Sequence, residues 1–104
     1  MTNEVIATDP FGKMVHILPG FFFAENESQE IYDDAATVIN KPAIIVEVTE
    51  NEETKFYYFR SVGWNNTLLL TTRLNNGRWE AYDFLQNPSN EMLLSVLKKG
   101  KQLL

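Results

Sequence analysis

The chain has 104 residues, a formal charge of −5, 44% hydrophobic residues and 22% charged residues. This is the composition of one globular domain, long enough to bury roughly two-thirds of its unfolded surface. The absence of cysteine excludes disulfides and thiolate metal sites, and a single histidine, His16, leaves too few ligands for a protein-only zinc centre, so neither metal nor cofactor is expected.

The charge is unevenly spread. Residues 1–54 carry eleven Asp/Glu against Lys13 and Lys41, a net of −9, whereas residues 55–104 are net +4. An acidic whole opposes non-specific nucleic-acid binding, which rests on phosphate neutralisation. A basic half leaves room for a local anionic ligand.

Residues 1–12 are expected to be a flexible or edge-lying lead-in to a single domain spanning 13–104. The N-terminus has neither a basic n-region nor an apolar h-region, and no apolar run approaches the roughly 20 residues of a membrane span. A cytoplasmic protein without membrane contact is the expectation. Lys13 to Leu18 predicts a short strand ended by Pro19-Gly20. Phe21-Phe22-Phe23 follow, as core or as a partner surface.

Asn26 to Asn40 predicts a helix, with Asn26 as N-cap, Gln29 completing a capping box, and Ile31, Ala35, Val38 and Ile39 on one stripe. Lys41-Pro42 stops it. Ala43 to Thr49 reads as a strand, and Glu50 to Thr54 as an acidic loop. Residues 55–84 form an antiparallel meander: three aromatic and β-branched runs cut by Gly63-Trp64-Asn65-Asn66 and Asn75-Asn76-Gly77. Asn87-Pro88-Ser89-Asn90 opens a closing helix that Gly100 ends. The expected fold is α+β, with helices on a mostly antiparallel, roughly five-stranded sheet in the order β-α-β-β-β-β-α.

No glycine-rich phosphate loop, nucleophile elbow or His-rich metal pattern is present. Chemistry therefore falls to scattered side chains. Arg60, Arg73 and Arg78 are bidentate phosphate donors, and Tyr82 is a phenol able to orient or protonate. His16 is the one side chain whose ordinary titration lies near neutral pH. Tyr57, Tyr58 and Trp79 can stack on bases.

The layout resembles the barnase/EndoU/colicin/RelE-like nuclease superfamily, in particular its small phage and mobile-element members. The resemblance is carried by Val38-Ile39-Asn40-Lys41-Pro42-Ala43-Ile44-Ile45, Phe56-Tyr57-Tyr58-Phe59-Arg60, Leu68-Leu69-Leu70, Ala81-Tyr82 and the segment from Leu94 to Gly100. It implies a metal-independent ribonuclease, or a degenerate relative, with Arg60, Tyr82 and His16 as catalytic candidates and Arg73, Arg78 and Tyr58 as substrate contacts. Two positions depart from the family pattern: Phe21-Phe22-Phe23-Ala24 stands where a histidine is common, and Glu80 where Ser or Thr precedes the Ala-Tyr pair. The acidic N-terminal half supports a different function, a non-catalytic interaction protein that binds a basic protein partner.

Overall fold

Seven strands and two helices make up the computed structural model, which describes residues 4–18, 29–61 and 66–104. In chain order they are β1 (Val5–Thr8), β2 (Met14–Ile17), α1 (Gln29–Asn40), β3 (Ile44–Glu50), β4 (Glu53–Ser61), β5 (Thr67–Asn75), β6 (Arg78–Gln86), α2 (Asn90–Lys99) and β7 (Lys101–Gln102). One sheet runs β1-β2-β6-β5-β4-β3-β7. β2 pairs with β6 in parallel, and the other described neighbours are antiparallel.

The α+β class and the central meander match expectation. The five-strand count is corrected to seven and the order to ββαββββαβ. The added strands, β1 within the expected lead-in and β7 at the C-terminus, are four and two residues long. Such lengths are too short to display a period of two. The Pro19-Gly20 stop, the three phenylalanines, the Asn26 cap and the turn at 63–65 lie outside the described residues.

Two hairpins are closed by two-residue turns with both central residues in the left-handed region: Asn51-Glu52 (φ 53° and 66°) and Asn76-Gly77 (φ 52° and 79°). Type I′ turns of this kind match the twist of the strands they join.

α1 lies on one face of the sheet. Its buried Tyr32, Ala35, Val38 and Ile39 pack with Ile45, Phe56, Tyr58, Leu68, Leu70 and Ala81. α2 lies on the other, where Val96, Met92 and Leu93 meet Val46, Val48, Phe59 and Leu69. Ser89 caps α2, its Oγ accepting from the Met92 amide at 3.2 Å. Gly100 ends the helix in extended backbone (φ −112°), so its role is not conformational. A Cβ there would meet the side chains of Val46 and Val48 and lie 2.7 Å from the Glu47 carbonyl oxygen. Only glycine lets the chain pass this close to β3.

β4 lies three strands from β2, yet Asp9 in the β1–β2 turn accepts a 2.7 Å hydrogen bond from the Tyr58 hydroxyl. The turn therefore folds across the α1 face and closes one end of the core.

Candidate functional site

On the face opposite α1, the α2 cluster takes in residues of β3, β4 and β5 and Leu85 near the end of β6, and β2, the start of β6 and the adjoining ends of β5 and β4 lie outside it. Sheet register places His16 of β2 opposite Glu80 of β6, Glu80 opposite Arg73 of β5, and Arg73 opposite Lys55 of β4. Four polar residues thus form one row across four adjacent strands, roughly 14 Å long at ordinary strand spacing.

A β-bulge adds a fifth. Thr71 pairs with Asp83 and Thr72 with Ala81, so Tyr82 is the extra residue of β6. A bulge re-aims its side chain. The Tyr82 ring, 42% exposed, lies 4.6 Å from the Arg73 guanidinium carbon and 5.1 Å from the Lys55 ammonium. The bulge also breaks strict alternation in β6: Phe84 packs in the α1 core with Trp79 and Ala81, and Asp83 lies on the open side.

Glu80 is only 6% exposed, because neighbouring polar groups enclose it. Its carboxylate accepts from Asn75 Nδ2 at 3.0 Å and Arg78 Nη2 at 2.8 Å. The Asn75 hydrogen bond, followed by those of Arg78 and the nearby Arg73 charge, holds it below the usual carboxylate range despite burial. Arg78 also lies 3.6 Å from Glu4, which contacts His16 Nδ1 at 2.7 Å. Burial, then Glu50, Tyr82 and Asp83, push the Tyr57 phenol up, so it stays a neutral donor.

Of the six expected site residues, four share this face: His16, Arg73, Arg78 and Tyr82. Arg60, expected as a catalytic residue, and Tyr58, expected as a substrate contact, do not. Both alternate onto the α1 face, since Tyr58 pairs with Leu70 and Arg60 with Leu68. Tyr58 is fully buried and bonded to Asp9, with no surface left for a ligand. Arg60 Nη1 donates to the Lys41 carbonyl at 2.6 Å. Lys41 follows α1, whose last turn holds no basic residue, so Arg60 supplies the positive charge at the negative helix end.

Sequence reasoning missed Lys55, Glu4 and Asn75. Lys55 was within reach, because period-two alternation puts it on the same face as Tyr57. Glu4 and Asn75 enter through contacts that no local pattern encodes. Among the described residues, no three His, Asp or Glu gather as metal ligands, and no helix is long and apolar enough to cross a membrane. No family model, curated protein sequence or solved structure matches the chain.

Proposed function

We infer that the open sheet face binds the phosphodiester backbone of RNA, and that the protein is a metal-independent ribonuclease of the barnase/RelE-like kind or a relative that has lost cleavage. The observation carrying this reading is the Arg73–Tyr82–Lys55 group. Two cations without carboxylate partners at ion-pair distance among the described residues flank an exposed aromatic ring. Cations neutralise phosphate and the ring offers a base a stacking surface. Glu80, which would repel phosphate if bare, is neutralised by Arg78.

In the cleaving form, a base takes the proton of the 2′-hydroxyl and its oxygen attacks phosphorus. The 5′-oxygen leaves with a proton from an acid, giving a 2′,3′-cyclic phosphate and a 5′-hydroxyl. His16 is the proton carrier on this face, held by Glu4, while Arg73 and Lys55 stabilise the charge that develops on the phosphoryl oxygens. The commitment of His16 to Glu4 and of Glu80 to two donors favours a second reading, in which RNA is bound and left intact.

Binding and cleavage of a labelled single-stranded RNA in EDTA separate the two. Arg73→Ala and Lys55→Ala should each weaken binding and lower the salt slope by about 0.7. His16→Ala should abolish cleavage, if cleavage occurs, with little change in binding. RNA binding absent in the native protein, or unchanged in both cation variants, would overturn the assignment.

A further inference from the structure

A separate recess of about 510 Å³ opens on the α1 side of the sheet, at the end where the β3–β4 and β5–β6 turns lie. Its floor is aromatic: Phe56 and Trp79 meet edge to face, with centroids 4.9 Å apart and planes at 82°. Its rim is acidic, formed by Glu47, Glu52 and Glu53, and the exposed Leu74 closes one side. None of these three carboxylates lies within ion-pair distance of a cation among the described residues.

A cation already sits against the same two rings, from a residue outside the lining of the recess. The Lys13 ammonium lies 2.8 Å from the Phe56 centroid and 4.4 Å from that of Trp79. Burial lowers its pKa, against the opposing pull of Asp9 and Glu47. The ring pair is thus shaped for a cation, while the one in place is partly desolvated and leaves Glu52 and Glu53 unused.

We propose that this recess receives an arginine side chain from a basic protein partner, which displaces the Lys13 ammonium from the Phe56–Trp79 pair and pairs with Glu52 and Glu53. Arginine fits better than lysine, because its guanidinium stacks on an aromatic face while forking onto carboxylates. The −9 charge of residues 1–54 steers a basic partner towards the acidic rim. The recess lies on the opposite face from the Arg73–Tyr82–Lys55 group, so this inference stands whether or not RNA binds there.

The test is an NMR titration of the whole chain with a short peptide of alternating arginine and glycine, following the Trp79 indole N–H and the Phe56 ring. The peptide should shift both signals. Lys13→Met, which keeps the apolar stem and empties the rings of charge, should tighten binding on the order of fivefold. Glu52→Gln with Glu53→Gln should weaken it by a similar factor and reduce its salt dependence. An alternating glutamate–glycine peptide should leave Trp79 unmoved. The proposal is overturned if the arginine peptide shifts Asp33 and Asp34 of α1 and leaves Trp79 unmoved, or if a folded Lys13→Met protein binds no tighter. A single-stranded RNA that shifts Trp79 as strongly as the peptide overturns it too.

Discussion

The Tyr58 hydroxyl donates to Asp9 Oδ2 across 49 positions of sequence, at 2.7 Å and out of contact with solvent. The other carboxylate oxygen, Oδ1, accepts from the backbone amides of Phe11 and Lys13 at 2.9 and 2.8 Å. One side chain therefore both shapes the β1–β2 turn and pins it to β4.

Breaking that link should be costly. Tyr58→Phe removes one buried hydrogen bond to a charged acceptor and should destabilise by about 2 kcal/mol, whereas Asp9→Ala leaves three donors without their acceptor and should cost more. Burial, and then the bond to Asp9, push the Tyr58 phenol far up. The neutral form is thus favoured in the fold, so the contribution is complete below the ordinary tyrosine pKa of roughly 10 and declines as pH rises above it. Denaturant titrations between neutral and strongly alkaline pH should show this decline, with a smaller slope in Tyr58→Phe.

Glu80 should give the opposite dependence. Its folded pKa is depressed, chiefly by Asn75 and then Arg78, so its contribution is present above the ordinary carboxylate range and is lost as pH falls through the folded value. Glu80→Gln should cost about 2 kcal/mol at neutral pH. The gap to the native protein should narrow as both are acidified, read from thermal unfolding across an acid series.

Arg60→Met separates fold from function. It removes the cation and donor at the end of α1, and should lower stability by about 1 kcal/mol. RNA binding should be unchanged, because Arg60 lies on the other face from Arg73, Lys55 and Tyr82. Calorimetry and a binding isotherm on the same preparation check both halves.

Gly100→Ala should destabilise by about 2 kcal/mol, the scale of overpacking a rigid contact, since backbone of β3 as well as two valines blocks the new methyl. Chemical denaturation measures it. Restoring room with Val46→Ala in the same chain should recover part of the loss.

Much of the fold was legible in the sequence. Alternation in β3 to β6, the Asn76-Gly77 turn and the apolar stripe of α1 each encode one element within a few residues. The faces of the sheet were harder to read. Period two told that Arg60 and Tyr58 share a side, but not that Leu68 and Leu70 make that side the one under α1. The bulge at Tyr82 was invisible too, because an extra residue leaves no local mark and shows only through the partner strand. For the site, residue type singled out Arg73, Arg78, Tyr82 and His16, and nothing short of strand order could join them to Lys55 and Glu4.

The bulge separates two kinds of constraint within β6. Trp79, Ala81 and Phe84 answer to the packing of α1, and Tyr82 stands outside their count. Exchanges at this one position can change the exposed ring of the open face without disturbing the interior. Deleting the residue, by contrast, would turn the bulge into a regular ladder, with Ala81, Asp83 and Phe84 still opposite Thr72, Thr71 and Leu70, so the open face would lose its ring while Phe84 kept its place under α1.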